Sequence, residues 1–134
     1  VRNFGAIARS AECSGVHALI IPKKGAAQIN AEALKTSAGA LNIIPVCRES
    51  SLMAAIEQLQ MAGVQVFASD LQAKKSVHQM DFVGPIALVV GAEGDGVSRP
   101  ILGKVDDTFI IPQNGETDSF NVSVAAGIVM YATV

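Results

Sequence analysis

Residues 86–98 read IALVVGAEGDGVS. The first five, Ile86 to Val90, are apolar without interruption, three of them β-branched, and Gly91 follows at once. An apolar run of this length, closed by a turn residue, fits a strand buried on both faces. Such strands belong to parallel sheets covered by helices, whereas strands with one wet face alternate apolar and polar residues. The loop at 91–98 leaves the carboxyl end of the strand, which is where open α/β sheets hold ligands.

The same alternation extends to both sides. Residues 3–14 predict a helix capped by Asn3, with Phe4, Ile7, Ala8 and Ala11 on one face and Gly15 at its stop. Residues 17–21 predict a strand ended by Pro22, 23–28 a loop, and 30–38 a helix between Asn30 and Gly39. A second strand is expected at 42–46. Ser50 or Ser51 caps a helix that presents Leu52, Ala55, Ile56 and Leu59 and stops at Gly63. A strand at 64–68, a polar loop over 69–81, the strand at 86–90 and a short helix around 100–102 come next. A strand at 108–111 and a polar loop at 113–118 lead to a helix over 119–134. That last helix is apolar on nearly every face, which predicts burial or an interface. The expected fold class is α/β: one domain over 1–134, a mostly parallel sheet, helices on both faces. Three segments, LIIP at 19–22, NIIP at 42–45 and FIIP at 109–112, share one strand-then-turn chemistry.

Composition narrows the function. Of 134 residues, 50% are hydrophobic and 16% charged, which excludes intrinsic disorder. No apolar run approaches the roughly 18 residues of a membrane span. Ten Lys and Arg against twelve Asp and Glu give a net charge of −2, too acidic for an electrostatic nucleic-acid binder on its own. Cys13 and Cys47 form no CxxC pair and are expected as core thiols in a reducing, cytoplasmic setting. His17 and His78 lack partners at metal-ligand spacing, so no metal site is expected and His17 reads as a strand-edge residue. The chain begins without Met and stops inside an apolar helix, so it is expected to be part of a longer protein.

Three stretches carry more than structure requires. In GAEGDG at 91–96 the outer glycines have P-loop separation, but Val97 stands where the phosphate-binding Lys is needed, and the spacing is not that of a dinucleotide fingerprint. What survives is a loop exposing its backbone, made acidic by Glu93 and Asp95. In the stretch IIPQNGETDSFNVSVAAGI at 110–128, Ser119, Asn121 and Ser123 put three polar groups at a helix start where one would cap it. In the first helix, Gly5 costs up to about 1 kcal/mol relative to Ala, which suggests close approach by a backbone or ligand. Arg9 lies on that helix's polar side.

Together, NFGAIARSA at 3–11, VGAEGDGVS at 90–98 and IPQNGETDSFNVSVAAG at 111–127 resemble the three motifs of the SpoU/TrmH family, the RNA ribose 2′-O-methyltransferases of the SPOUT class. KTSAGA at 35–40 resembles the family's linker before the second strand. The resemblance covers nearly the whole chain. It implies a C-terminal trefoil knot built from the loops at 91–98 and 112–118, holding S-adenosyl-L-methionine. It implies a homodimer with the last and first helices near the interface. Gly91, Ile111 and Phe120 would contact the cofactor. Arg9, Glu93, Ser119 and Asn121 would be catalytic, with Asn3 and Arg9 binding substrate. The substrate would be a ribose 2′-hydroxyl in ribosomal RNA, or else transfer RNA. Phe120 departs from the family's usual Leu, and Gln113-Asn114 from Met and a small residue. The family's Asp-Pro before the first motif, its first strand and the N-terminal RNA-binding domain of many members have no counterpart in these residues. Two rivals are a base-methylating SPOUT enzyme and a non-catalytic RNA-binding or assembly module.

Overall fold

A computed structural model of the chain describes residues 2–23, 35–91, 96–113 and 122–133. The elements in chain order are α1 (Arg2–Cys13), β1 (Leu19–Pro22), β2 (Val46–Glu49), α2 (Leu52–Met61), β3 (Gln65–Ser69), β4 (Ile86–Val89), α3 (Arg99–Lys104), β5 (Asp107–Phe109) and α4 (Val122–Ala132). They fall into two compact units, Val1–Ser50 with Ser123–Val134, and Ser51–Val122. Among the described residues no helix is long and apolar enough to cross a membrane.

The first unit is built on α1. Phe4, Ala8 and Ala11 are buried and Arg9 is exposed, as the helical spacing requires. Phe4 and Ala8 form a cluster with Ala40 and Leu41, and Leu19, Ile21 and Val46 pack against it. The helix already includes Arg2, so Asn3 sits within its first turn and is not its cap. β1 and β2 pair in parallel from Leu19↔Val46 to Pro22↔Glu49. β1 begins two residues later than the apolar run HALII suggests, at the point where the Leu19 N–H first finds a carbonyl, that of Pro45 at 2.9 Å. The expected helix at 30–38 lies outside the described residues up to 34.

The expected strand at 42–46 does not form. Its place is taken by a 3-10 turn over Ala40–Asn42, and β2 starts only at Val46. The cause is local. Ser37 is fully buried and its Oγ accepts the Leu41 N–H at 3.4 Å. Ala38 and Gly39 then adopt φ of 53° and 88°, consecutive left-handed residues that only a small pair tolerates well. The N–H groups of Ile43 and Ile44 both donate to the Ala40 carbonyl at 2.9 Å, so this backbone is spent on the turn and has no N–H left for a ladder. The likeness of NIIP to LIIP is therefore one of composition alone.

Cys13 and Cys47 are exposed, not core thiols: Cys13 ends α1, and Cys47 lies opposite the half-exposed Ile20 in the β1–β2 register. On α4, Ala126, Val129 and Met130 are buried, while Val124 is 52% and Tyr131 79% exposed. α4 lies close to α1 at Gly127, where a Cβ would make an ordinary 3.6 Å contact with the Ser10 hydroxyl oxygen.

The second unit is a parallel sheet of order β4-β3-β5. Val66 and Ala68 are fully buried in its central strand. Ser51 caps α2 by accepting the Ala54 N–H at 3.1 Å. α2 packs on β3 and on α3. The Gln60 side chain donates to the last carbonyl of α3, Lys104, at 2.9 Å, and the Lys104 ammonium pairs with Glu57 at 2.6 Å. Ahead of β5, Asp106 holds both polar groups of Val66: its Oδ2 accepts the Val66 N–H at 2.7 Å and its own N–H donates to the Val66 carbonyl at 2.8 Å. Leaving a buried N–H unpaired costs about 1–3 kcal/mol.

β5 is held on both edges by one continuous piece of chain. Successive residues of a strand offer their backbone groups to opposite edges. The Phe109 carbonyl accepts the Asp70 N–H at 2.9 Å, continuing the ladder to β3. Ile110 faces the other way: its N–H donates to the Lys75 carbonyl and its carbonyl accepts the Val77 N–H, each at 2.8 Å. Residues 70–85, which connect β3 to β4, thus pass along the far edge of β5. Phe82 closes this connection over the sheet, with ring centroids 5.6 Å from Phe67 and 6.2 Å from Phe109, both edge to face. Against the expected strand at 108–111, the ladder to β3 runs over Asp107–Phe109, and Ile110 pairs on the other edge with this connection.

Lys75 reaches Asp107 at 2.8 Å across the same edge. That hydrogen bond, the Thr108 N–H and the lysine charge hold the Asp107 carboxyl below its ordinary value of 3.8, against a small opposing effect of burial. A depressed carboxylate stabilises the fold above its unfolded pKa, and the effect fades as pH falls through the folded one. Both side chains are well exposed, 57% and 37%, so the pair contributes below about 1 kcal/mol. Lys75→Met is expected to lose that small increment at neutral pH. The gap to the wild-type protein should close below about pH 3.9, as read by urea unfolding across pH. An Asp107 carboxyl titration unchanged by the substitution would contradict the assignment.

Candidate functional site

The carboxyl ends of β4 and β5 bring two of the sequence-selected residues to one end of one sheet. Gly91 follows β4 by two residues and Ile111 follows β5 by two. β3 lies between those strands, so the two positions stand roughly 10 Å apart, twice the inter-strand spacing of about 4.8 Å. Between them the chain leaves β3 through Ser69 and Asp70, whose Oδ1 accepts the Gln72 N–H at 3.0 Å. Sequence reasoning did not select Ser69 or Asp70. Their position depends on strand order, and no residue type at 69–70 reveals it.

Gly91 is half-buried, and its missing side chain is a steric necessity. A Cβ there would fall inside the backbone of Gly96 and Val97. Gly91 thus lies directly against the backbone of Gly96 and Val97, and Gly96 has φ of 69°. The outer glycines of the sequence GAEGDG, which lacks the P-loop Lys, are brought side by side. Ile111 is half-buried and Pro112 exposed, so the chain leaves β5 with its backbone accessible.

The other sequence-selected residues are placed in part. Arg9 is exposed on α1 in the first unit, consistent with a polar side that faces solvent or substrate. Asn3 lies in the first turn of α1, and its side chain lies outside the described atoms. Glu93, Ser119, Phe120 and Asn121 lie outside the described residues, as do most of the loops at 91–98 and 112–118. The described start of α4, Val122, follows directly on that segment.

Comparison with known proteins agrees with this arrangement. A family model described as the SpoU rRNA Methylase family matches residues 1–131. A Mycolicibacterium vanbaalenii protein named an uncharacterized tRNA/rRNA methyltransferase is 44% identical over 129 residues, 96% of this chain and 41% of that protein. The 23S rRNA (guanosine-2′-O-)-methyltransferase RlmB of Escherichia coli K12 is 39% identical over 132 residues, 98% of this chain and 54% of RlmB. The crystal structure of the SpoU methyltransferase AviRb from Streptomyces viridochromogenes in complex with AdoMet superposes with a TM-score of 0.89 at 30% identity. It matches 98% of this chain and 54% of that one. The chain thus spans about half the length of the relatives it matches.

The steric demand at position 91 is directly testable. Gly91→Ala is expected to reopen the loop: proteolysis within 91–98 should accelerate and the melting temperature should fall by several degrees, the effect of about 1–2 kcal/mol in a domain of this size. Gly103→Ala is the control, because a Cβ there meets nothing within 4 Å. It should leave the melting temperature unchanged or raise it. Equal behaviour of the two variants would refute the steric account.

Proposed function

The chain belongs to the SpoU rRNA Methylase family, and we propose that it is the catalytic domain of an RNA methyltransferase. In this reading it moves a methyl group from S-adenosyl-L-methionine to a ribose 2′-hydroxyl of structured RNA, ribosomal RNA before transfer RNA. The observation that carries the reading is the meeting of Gly91 and Ile111 at the carboxyl end of one parallel sheet, where β4 and β5 diverge from β3. Open α/β sheets form their ligand crevices at such points.

The residues present fit the cofactor. The backbone at Gly91, which carries no side chain, and the accessible backbone at Ile111 would offer amide and carbonyl groups for an adenine and an amino-acid moiety, and Phe120 would add an apolar wall. A mostly apolar cleft with a few fixed polar groups suits such a ligand. When bound, S-adenosyl-L-methionine supplies an electrophilic methyl group on a sulfonium. The chain's own task is positioning, which contributes several kcal/mol when the reacting atoms are held in line. Asn3 and Arg9 hold the RNA. A guanidinium stays protonated, so Arg9 steadies the developing alkoxide or grips a neighbouring phosphate and does not act as the base. Glu93, Ser119 and Asn121 orient the hydroxyl and complete the catalytic set.

Two structural features of the family belong to the same proposal. The bracketing of β5 by β3 and by residues 75–77 supports a knotted carboxyl-terminal region. The apolar stripe Val124, Ile128 and Tyr131 on α4, at positions i, i+4 and i+7, supports a homodimer. The exposed thiols of Cys13 and Cys47 suit a reducing, cytoplasmic setting.

Calorimetry of the full-length protein with S-adenosylhomocysteine tests the cofactor site, and nucleoside analysis of RNA from cells with and without the gene tests the reaction. Tight binding and the loss of one 2′-O-methyl nucleoside are expected. A folded protein that binds neither cofactor form would favour the non-catalytic module, and loss of a methylated base would favour the base-methylating rival. Arg9→Ala in the full-length enzyme should lower turnover by about 100-fold or more, by analogy with loss of a preorganised donor, while stability shifts by no more than about 0.5 kcal/mol. Arg9→Lys should rescue poorly, because an ammonium lacks the planar fork. Asn121→Ser should lower turnover at constant melting temperature if Asn121 orients substrate, and keep it if Asn121 only caps the helix. Tyr131→Asp combined with Val124→Asp should shift the sedimenting species to monomer; an unchanged dimer would place the interface elsewhere.

A further inference from the structure

β5 is three residues long, yet the fate of Ile111 depends on its register. Residues 107 and 109 turn their backbone groups toward β3 and Ile110 turns its own toward the segment at 75–77; the same alternation carried one residue further directs Ile111 toward the β3 side. A slip by one residue would exchange the two edges and send every side chain to the opposite face. The backbone of Ile111 would then point at the 75–77 segment and away from the β3 side.

A ladder this short has few bonds to hold its register, so contacts at its ends add to what specifies the phase. Val66 is fully buried, and its N–H faces the β5 edge, because the neighbouring Gln65 N–H is directed at β4 through Pro85 at 3.1 Å. β5 has not begun at that level: the ladder opens at Phe67↔Asp107. Asp106 fills the gap with two bonds to one residue, side-chain Oδ2 to the Val66 N–H and main-chain N–H to the Val66 carbonyl. Only one residue of β3 can satisfy both at once. A one-residue slip would put Asp106 opposite Gln65 or Phe67, whose backbone groups at that level face β4.

We propose that Asp106 is a positioning residue of the cofactor site: it sets the register of β5 on β3 and so fixes the edge toward which Ile111 presents its backbone. Lys75 and the 75–77 segment hold β5 from the other edge, where the two Ile110 bonds fit the same phase. The functional part of this proposal rests on the reading that Ile111 contacts S-adenosyl-L-methionine. The register part stands on geometry alone.

The test uses the full-length protein with Asp106→Ala, Asp106→Asn and Asp106→Glu, each confirmed folded by circular dichroism. Asp106→Ala should weaken S-adenosylhomocysteine binding by about tenfold, the equivalent of about one lost hydrogen bond. It should also lower the exchange protection of the Val66 amide. Asp106→Asn keeps an acceptor oxygen at the same reach and should bind like the wild-type protein. Asp106→Glu keeps the charge but overshoots the amide, and should behave like the alanine variant. If the alanine variant does not fold, the contrast between Asn and Glu carries the test. Wild-type affinity in Asp106→Glu with an unprotected Val66 amide would overturn the positioning role. So would equal losses in Asn and Glu, which would make charge the cause. If the wild-type protein itself binds no cofactor form, the functional reading falls. The register claim is then judged by the Val66 amide, and unchanged protection in Asp106→Ala or Asp106→Glu overturns it.

Discussion

The placement of β5 between β3 and the connection that leaves β3 is the constraint on which the second unit depends. The strand has only three residues, and a free edge strand of that length would fray. Here both edges are occupied, by Phe109 bonding to Asp70 and Ile110 bonding to Lys75 and Val77. Phe109 is fully buried beneath Phe82, so the connection is pinned to the strand by side chains as well as by backbone. The bracket also decides where β5 ends. Residues beyond Ile110 leave it beside the carboxyl ends of β3 and β4, which brings Ile111 to the same end of the sheet as Gly91.

Much of this was legible in the residues, for identifiable reasons. The strands at 64–68 and 86–90 are mostly apolar runs opened by Gly63 and Pro85, and they formed within a residue of their expected bounds. α2 was marked twice, by a Ser cap and by a glycine stop. The strand at 42–46 was misread because its apolar residues, Ile43 and Ile44, serve a turn: a buried serine hydroxyl and two left-handed residues outcompete the ladder, and hydropathy does not register either. Cys13 and Cys47 were misplaced for a related reason. A cysteine behaves as a small hydrophobe by composition, but its burial follows from which face of the element it occupies.

Less of the site was legible. Gly91 stood out as a glycine after a strand, yet the reason it must be glycine is its closeness to the backbone five and six positions on, which the order of residues does not reveal. Ser69 and Asp70 carry no signal at all, because their place between the two loops is a property of strand order. Asp106 is similar: an aspartate before a strand reads as a turn residue, and its two bonds to Val66 span 40 positions. The motifs themselves, by contrast, are contiguous in sequence, so a resemblance could be drawn from them without knowledge of the fold.

The bracket around β5 has a consequence for how the chain is made. Synthesis runs from the amino terminus, so residues 65–89 leave the ribosome before Asp107 to Ile110 do. β3, its connection and β4 can therefore assemble with an empty slot that the later strand enters. A chain released whole from denaturant has no such sequence of events; β5 can dock on β3 first, after which the connection must pass around an obstacle already in place. Vectorial synthesis and refolding thus reach the same bonds through different orders of assembly, and the former begins with the slot already built.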